Sequence, residues 1–323
     1  MRITSLEGPD GPVAALRVPT GLVPLSALPD GPDGPWPTTL QALLDAGRFE
    51  ALRAWSDAHA ADLAALADGA PGRALAGAAP AALVPHPPKI LGVGLNYAEH
   101  AGDLGETRPD EPATFMKPHT ALLPPGGTIP IPRQSERTTG EAELALVIGR
   151  HGKDVPRERA ADYVAGVTTA IDMTAEDILQ RNPRFLTRAK SFDGFLVLGP
   201  DLVTLDDVHA HLTEAGTEPG TEPGTEPDAA ASAAASGDLG LGALEVTTTW
   251  NGEPARRNVV ANMLHDPASL VAFFSAVMPL EPGDVISTGT PGAVPLAHGG
   301  RVGCTIPGVG TVTCPVHDRK RDG

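Results

Sequence analysis

Two glutamates, Glu141 and Glu143, open a run that is otherwise apolar enough to form a buried strand. Because side chains two apart on a strand point to the same side, both carboxylates share one face with Ala145 and Val147. Two carboxylates near a core repel each other and lose hydration, and a divalent cation between them would offset both effects. A strand edge whose glutamates reach solvent or pair with Arg and Lys is the alternative, and the spacing alone leaves both open.

A third carboxylate and a lysine follow the glutamates. Asp172 ends the apolar run before it, so three acidic side chains on strand ends would provide an all-oxygen site. Such a site suits magnesium, manganese or calcium far better than zinc. Lys190 lies in a predicted loop, where an ammonium group near a metal would stabilise negative charge on a substrate oxygen. Taken by itself, a lysine in this context is more often a surface residue.

A histidine followed three residues later by a carboxylate, His100 and Asp103, is the candidate general base. On one helical turn the two side chains are neighbours, and the carboxylate would fix the imidazole tautomer and raise its basicity. A solvated His–Asp pair is the common alternative. Near the end of the chain, a glycine-rich loop with Thr290 offers N–H groups and a hydroxyl to a substrate carboxylate, unless it is a plain turn.

The composition restricts the class of partner. Of 323 residues, 41% are hydrophobic and 20% charged, which is ordinary for a soluble globular protein. The net charge of -16 argues against nucleic acid or an anionic membrane, because both require clustered Lys and Arg. With no export signal and no membrane-spanning run evident in the sequence, we expect a cytoplasmic protein.

Periodicity predicts the elements that position these residues. Short apolar runs broken by Gly and Pro predict small strands over residues 1–37, and apolar residues at three- and four-residue intervals predict helices over 39–68. Residues 89–97 predict a buried strand, and 267–278 a helix. The dipeptide Asn251–Gly252 predicts a two-residue hairpin turn.

These elements suggest two domains. We expect a small N-terminal domain over residues 1–75 and a catalytic domain over 89–318. The stretch between them, 76–88, is rich in Ala and Pro and is the expected linker.

Residues 214–240 differ in composition from the rest of the chain. The repeat Thr217-Glu218-Pro219-Gly220 recurs twice with little change, and Ala-Ser low complexity follows. With no large apolar residue before Leu239, we expect a disordered insertion in the catalytic domain. Strand-like sequences at 202–205 and 244–250 flank it and predict an enlarged hairpin loop. A partner-binding role for the repeats is the alternative.

Taken together, these segments resemble the fumarylacetoacetate hydrolase family. The resemblance rests on Gly94-Leu95-Asn96-Tyr97 with His100, Phe115-Met116-Lys117, the run from Glu141 to Gly149, Asp172, Lys190-Ser191-Phe192-Asp193, and Pro282-Gly283-Asp284 with Gly289-Thr290-Pro291. It implies an α+β fold with a mixed β-roll or barrel catalytic domain of the fumarylacetoacetase C-terminal type. It also implies a homodimer, here with a small N-terminal α/β domain.

The resemblance also implies roles for single residues. The metal ligands would be Glu141, Glu143 and Asp172, binding Mg²⁺ or else Mn²⁺ or Ca²⁺. The catalytic residues would be His100, Asp103 and Lys190, and the substrate contacts would be Lys117 and Thr290.

Two departures from the family pattern concern the substrate. Where many members have arginine four residues and glutamine seven residues after the metal aspartate, this chain has Glu176 and Leu179. Where many members have glutamate three residues after the histidine, it has Asp103.

The function implied is hydrolysis of a carbon–carbon bond in a 1,3-diketo acid such as an acylpyruvate or a fumarylacetoacetate-like compound. A decarboxylase or isomerase of oxaloacetate-like or dienoate dicarboxylic acids, working on the same metal enolate, is the alternative. A non-catalytic, metal-stabilised binding protein is the alternative from another class.

Overall fold

The computed structural model describes residues 1–97, 110–216 and 238–322. Within these ranges lie seventeen strands. They are β1 (Arg2–Gly8), β2 (Gly11–Val18), β3 (Gly21–Pro24), β4 (Ile90–Gly94), β5 (Ala113–Lys117), β6 (Leu122–Leu123), β7 (Ile129–Ile131), β8 (Thr138–Ile148), β9 (Val164–Ala175), β10 (Leu196–Leu198), β11 (Asp201–Val203), β12 (Glu245–Trp250), β13 (Glu253–Val259), β14 (Val285–Ser287), β15 (Ala293–Pro295), β16 (Arg301–Ile306) and β17 (Gly310–Asp318).

The same ranges contain eight α-helices, none of which is long and apolar enough to cross a membrane. They are α1 (Leu40–Asp45), α2 (Phe49–Ala58), α3 (Ala60–Asp68), α4 (Ala70–Ala74), α5 (Glu176–Arg181), α6 (Leu186–Lys190), α7 (Leu205–Glu214) and α8 (Pro267–Val277).

Two mixed sheets form the framework. The larger sheet has twelve strands and a main path of β3-β2-β1-β11-β9-β8-β14-β4-β5, with β10, β6 and β15 attached beside it. The smaller has five strands in the order β13-β12-β16-β17-β7. Most neighbours are antiparallel, whereas three pairs among the described strands are parallel: β14 with β4, β17 with β7, and β10 with β6. The predicted α+β class is confirmed, and neither sheet closes into a barrel over the described ranges.

Strand β8 lies between two hydrophobic cores. Leu144 packs into the core shared with the smaller sheet, whereas Ala145 and Val147 pack into the core shared with the N-terminal helices. This alternation is the period of two expected for a strand. Every residue of β8 is buried, so Glu141 and Glu143, on the same side as Ala145, are enclosed as well.

The N-terminal segment extends the larger sheet and covers one of its faces. Arg2–Thr4 of β1 pairs antiparallel with residues 201–203 of β11. Helices α1 to α3 confirm the predicted helical pattern, and Thr39 caps α1 by accepting a hydrogen bond from the first turn at 3.1 Å. Leu43 of α1 shares a core with Val147. The helices therefore cover the apolar part of the face that carries the paired glutamates, while the boundary between two domains remains a prediction.

Two local predictions are confirmed. Asn251 and Gly252 connect β12 to β13 with φ angles of 54° and 88°, the left-handed geometry that a two-residue hairpin turn requires. Helix α8 covers the predicted range apart from its last residue.

The enlarged hairpin predicted around residues 214–240 is wrong. Strand β11 pairs with β1 and β9 in the larger sheet, whereas β12 pairs with β13 and β16 in the smaller one. The segment between them therefore joins two sheets, and it begins with helix α7. The predicted disorder concerns mainly residues 217–237, which lie outside the described ranges.

Asp266 caps helix α8. Its Oδ1 accepts a hydrogen bond from Ser269 N at 2.9 Å, and its Oδ2 accepts one from Arg157 Nη2 at 3.1 Å. Burial would raise the pKa of Asp266, but the hydrogen bonds from Ser269 and Arg157 outweigh it and lower the pKa below its usual value. The ionised form is therefore the one that stabilises the fold.

Replacing Asp266 should test this cap. We expect Asp266→Ala to lower the free energy of unfolding by about 1 kcal/mol at neutral pH, measured by urea denaturation. Because the pKa is lower in the folded state, the contribution of the charge is present above the unfolded pKa and is lost as the pH falls through the folded one. Asp266→Asn keeps a capping oxygen but loses the charge that faces Arg157, so its loss should be smaller than that of Asp266→Ala. Equal losses for the two variants would contradict the assignment.

Candidate active site

The register of β8 and β9 brings three carboxylates together. Glu141 lies directly opposite Asp172, and Glu143 lies opposite Ala170. One oxygen atom from each acidic residue lies within 4.8 Å of the others, and their exposed fractions are 8% for Glu141, 1% for Glu143 and 0% for Asp172. Asp172 lies inside β9 and not at a strand end as predicted, because β9 continues to Ala175.

The loop after β14 holds the carboxylate of Glu143. Its Oε2 accepts hydrogen bonds from Ser287 Oγ at 2.5 Å and from Gly289 N at 2.9 Å. Burial, and then the negative charge of Asp172, raises the pKa of Glu143 to about 8, although Lys190 and Ser287 act in the opposite direction. An ionised Glu143 is therefore costly until further positive charge joins the site.

Gly289 can approach Glu143 only because it has no side chain. Its φ is +101°, and a Cβ atom there would lie 2.8 Å from Asn96 Cβ. Asn96 Nδ2 donates to Thr288 O at 2.7 Å and to His265 O at 2.9 Å, which fixes the loop against the end of β4. The sequence offered N–H groups of this loop to a substrate carboxylate; the N–H of Gly289 donates to the carboxylate of Glu143 instead, and the substrate contact remains a prediction.

Lys190 neutralises part of this acidic cluster. It ends helix α6 and is not in a loop as predicted, and its Nζ donates to Glu141 Oε2 at 2.9 Å and to Asp172 Oδ2 at 2.6 Å. The same Nζ lies 4.7 Å from the ring centre of Phe115. Burial alone would lower the pKa of Lys190, but the charges of Asp172, Glu141 and Glu143 outweigh it and raise the pKa. Lys190 is therefore a buried, protonated ammonium group.

Lys117 approaches Asp172 from the other side. Its Nζ forms an ion pair with Asp172 Oδ1 and donates to Met173 O at 3.1 Å and to Phe195 O at 2.6 Å. Burial lowers the pKa of Lys117 to about 8, because the charge of Asp172, which raises it, does not fully compensate. In this arrangement Lys117 orients Asp172, and the substrate contact remains a prediction.

Two threonines lie beside the acidic cluster on the same face of the sheet, two residues along β8 from Glu141 and two residues along β9 from Asp172. Thr139 and Thr174 are opposite each other in the register, and their hydroxyls donate to Glu141 Oε1 at 3.1 Å and 3.0 Å. Both threonines are buried. Glu141 thus receives hydrogen bonds on one oxygen and the Lys190 ammonium on the other.

An ion pair between Arg137 and Glu176 lies where β8 begins and β9 ends, beyond the two threonines. Arg137 Nε donates to Glu176 Oε2 at 2.7 Å, and Gln180 Nε2 donates to Glu176 Oε1 at 2.7 Å. The side chain of Arg137 is 53% exposed and that of Glu176 is 15% exposed. Glu176 occupies one of the two positions at which the sequence departs from the family pattern. Leu179, at the other, packs against the hydrophobic core.

Thr290 lies in the loop that holds Glu143. It is 6% exposed, and its hydroxyl donates to Gly292 O and accepts from Gly292 N, both at 3.2 Å. The following strand, β15, begins with Ala293 opposite Glu141. The chain therefore returns to the acidic cluster directly after Thr290.

Most of the residues predicted from the sequence meet in one place. The structure brings together Glu141, Glu143, Asp172, Lys190 and Lys117, with Thr290 in the supporting loop. His100 and Asp103 lie outside the described residues. The residues that sequence reasoning missed are Ser287, Thr139 and Thr174. Thr139 could have been found, since it lies two residues before Glu141 on the same strand face.

The donor set fits a hard divalent cation. All three candidate ligands are carboxylates, which suit magnesium, calcium or manganese and disfavour zinc. Two ammonium groups balance only two of the three negative charges, and burial together with the charge of Asp172 raises the pKa of Glu143. Glu141, Glu143 and Asp172 would hold such an ion.

Comparison with known proteins identifies the family. Residues 89–317 match the family described as fumarylacetoacetate (FAA) hydrolase, C-terminal. The chain belongs to the fumarylacetoacetate hydrolase family. A mitochondrial oxaloacetate tautomerase of Arabidopsis thaliana is 33% identical over 232 residues, covering 72% of this chain and 92% of the plant protein. The family resemblance read from the sequence is thereby confirmed.

Solved structures of family members show similarity over nearly the whole chain. A 5-carboxymethyl-2-hydroxymuconate delta-isomerase from Mycobacterium smegmatis has a TM-score of 0.67 at 30% identity, with 99% of each chain covered. A maleylpyruvate hydrolase from Sphingobium sp. SYK-6, in complex with manganese(II) and pyruvate, has a TM-score of 0.69 at 26% identity, with 98% of this chain and 99% of that chain covered. The family fold therefore includes hydrolases and isomerases.

Removing the Lys190 ammonium should make folding depend on added metal. We expect Lys190→Met to lower the melting temperature in the presence of a chelator, because three buried carboxylates then face a single lysine. Mn²⁺ should raise the melting temperature of the variant by more than that of the wild type, measured by differential scanning fluorimetry.

Lys153→Met is the matched control, because Lys153 pairs with Asp154 at the protein surface. Its melting temperature should change little with or without Mn²⁺. If both variants responded to Mn²⁺ in the same way as the wild type, the ammonium of Lys190 would not be compensating the acidic cluster.

Proposed function

We propose that this protein is a metal-dependent hydrolase that cleaves a carbon–carbon bond in a 1,3-diketo acid, such as an acylpyruvate. The observation that carries the proposal is the buried cluster of Glu141, Glu143 and Asp172 with the Lys190 ammonium against two of its members. The manganese and pyruvate complex of the maleylpyruvate hydrolase supports it, since pyruvate is a keto acid.

The proposed roles follow from the charges at the site. A divalent cation, when bound, would polarise a keto or enol group as a Lewis acid. Lys190 presents a positive charge where negative charge develops on the substrate oxygen, and Lys117 keeps Asp172 in place. We assign His100, oriented by Asp103, as the base that removes a proton from the attacking water. The bond between the attacked carbonyl carbon and the neighbouring carbon then breaks, and the released enolate takes up a proton.

A tautomerase, isomerase or decarboxylase is the second candidate. The similarity to an oxaloacetate tautomerase and to a delta-isomerase favours it. These reactions use the same stabilised enolate but need no attacking water. The departures at Glu176 and Leu179 concern the substrate and do not separate the two candidates.

Three finer features accompany the proposal. We propose Mg²⁺ as the physiological ion, with Mn²⁺ or Ca²⁺ as substitutes, because the donors are carboxylates. We also propose a homodimer, which light scattering coupled to size-exclusion chromatography would detect, and a cytoplasmic location.

A substrate panel should decide between hydrolysis and the alternatives. We expect the purified protein to hydrolyse acylpyruvates with Mg²⁺ or Mn²⁺ and to lose this activity when a chelator is added. Hydrolysis is measured as the decrease in the absorbance of the diketone. Oxaloacetate and a dienoate dicarboxylate belong in the same panel. Decarboxylation or isomerisation without hydrolysis would transfer the assignment to the second candidate, and metal binding without any turnover would reject an enzyme.

Replacing Glu143 tests the metal site in the same assay. Glu143→Ala should reduce metal-dependent turnover by at least about a hundredfold, because one of three ligands and its charge are lost. Glu253→Ala is the control, because Glu253 is exposed on β13. Full turnover in Glu143→Ala would show that the cation is held elsewhere.

A further inference from the structure

Strand β8 has a gap in its pairing on the edge that faces away from β9. On that edge β15 pairs with residues 139–141 and β14 pairs with residues 145–147, so none of the described strands pairs with residues 142–144 there. The gap begins between the two candidate ligands Glu141 and Glu143. Because backbone groups of a buried strand need hydrogen-bond partners, groups from outside the ladder have to fill it.

The hydroxyl of Thr248 fills the gap at Ala142. Ala142 N donates to Thr248 Oγ1 at 3.1 Å, and Thr248 Oγ1 donates to Gly292 O at 3.4 Å. A hydroxyl can donate one hydrogen bond and accept others, so this single group serves two backbone groups. Thr248 is 0% exposed and belongs to β12 of the smaller sheet.

The position of Gly292 shows what this hydroxyl replaces. Ala293 lies opposite Glu141, so the same ladder continued by one residue would place Gly292 opposite Ala142. In that ladder the Gly292 carbonyl would accept directly from the Ala142 N–H. The Thr248 hydroxyl stands between these two groups, so the chain before β15 separates from β8 at this point.

The separation concerns the loop that serves the candidate active site. Gly289 N donates to Glu143 Oε2, and the Thr290 hydroxyl both donates to Gly292 O and accepts from Gly292 N. The Gly292 carbonyl therefore accepts from two hydroxyls, those of Thr290 and Thr248. Through this carbonyl, Thr248 connects the loop to the strand that carries the glutamates.

A second residue of the smaller sheet contacts the same part of β8. Cys304 lies directly opposite Thr248 in the ladder of β12 and β16, and its Sγ donates to Glu143 O at 3.7 Å. Like Thr248, it is 0% exposed. The smaller sheet therefore contacts the backbone of β8 at two successive residues, Ala142 and Glu143.

We propose that Thr248 is a positioning residue of the candidate active site. Its hydroxyl sets the spacing between the strand that carries Glu141 and Glu143 and the loop that carries Thr290. The proposal rests on the proposed function, to which the metal site and the substrate contact belong. Without the hydroxyl, either the loop closes onto Ala142 or a buried N–H is left unpaired. In both cases the carboxylates and the loop lose their relative position.

Thr248→Val tests this role, because it removes the hydroxyl at nearly constant volume. We expect the dissociation constant for Mn²⁺, measured by isothermal titration calorimetry, to rise about tenfold, as when a group that orients metal ligands is lost. In metal-free protein with a chelator, hydrogen exchange in the peptide that contains Ala142 should be faster than in the wild type, because its N–H has lost its acceptor.

Thr4→Val is the matched control. Thr4 is also 0% exposed, and its Oγ1 donates to Pro200 O at 2.8 Å. It lies on β1, which β11 and β9 separate from β8. Both valine variants should lower the melting temperature, because each leaves a backbone group without its partner. Only Thr248→Val should weaken the binding of Mn²⁺.

Two smaller side chains at position 248 separate the hydroxyl from the methyl group. Thr248→Ser keeps the hydroxyl and should keep the wild-type affinity for Mn²⁺. Thr248→Ala loses the same methyl group and the hydroxyl as well, and its affinity should fall. This comparison decides the question even if Thr248→Val does not fold.

The outcomes distinguish this proposal from the proposed function. Wild-type affinity for Mn²⁺ in both Thr248→Val and Thr248→Ala would overturn the positioning role and leave the proposed function intact. An equal loss of affinity in Thr4→Val would also overturn it, because reduced stability would then account for the effect. If the wild type bound Mn²⁺ no better than Glu143→Ala, the metal site would be rejected, and the positioning role with it.

Discussion

The structure depends on keeping three carboxylates together in a site that is almost completely buried from solvent. Glu141, Glu143 and Asp172 are each less than 9% exposed, so their mutual repulsion is poorly screened. Lys117 and Lys190 enter from different elements, β5 and α6, and both reach Asp172. The position of β5 and of α6 is therefore tied to the strand pair by charge as well as by packing. Removing one of these charges would leave a buried partner unopposed, which is why the cluster has to be assembled as a unit.

The alternation of β8 lets one strand serve both stability and chemistry. Its even-numbered residues complete the core shared with the smaller sheet, and Ala145 and Val147 complete the core under the N-terminal helices. Toward the start of the strand, at Glu143, Glu141 and Thr139, the second face becomes polar. Because the N-terminal helices cover the apolar part of that face, the carboxylates lie where the cover ends. A strand slip of one residue would exchange the two faces and bury both glutamates in the other core.

Local features of this fold could be predicted from the sequence, whereas the choice of distant partners could not. The spacing of Glu141 and Glu143, the helical pattern over 39–68 and the Asn251–Gly252 turn each depend on a few adjacent residues. The expected hairpin failed because β11 and β12 are both strand-like, and nothing in their own sequences states that they join different sheets. The same limit applies to the site. That Lys117 pairs with Asp172, or that Gly289 binds Glu143, depends on which strands lie side by side.

The buried carboxylate cluster and the exposed Arg137–Glu176 pair differ in how freely they can change. Asp172, Glu141 and Lys190 share hydrogen bonds in a buried network, so a change at one affects the others. Arg137 and Glu176 are joined by one ion pair beside solvent, and exchanging either costs little stability. The exposed pair can therefore change while the carboxylate cluster stays intact. A family that contains hydrolases, isomerases and a tautomerase on one fold is consistent with a buried cluster that is kept while more exposed residues vary.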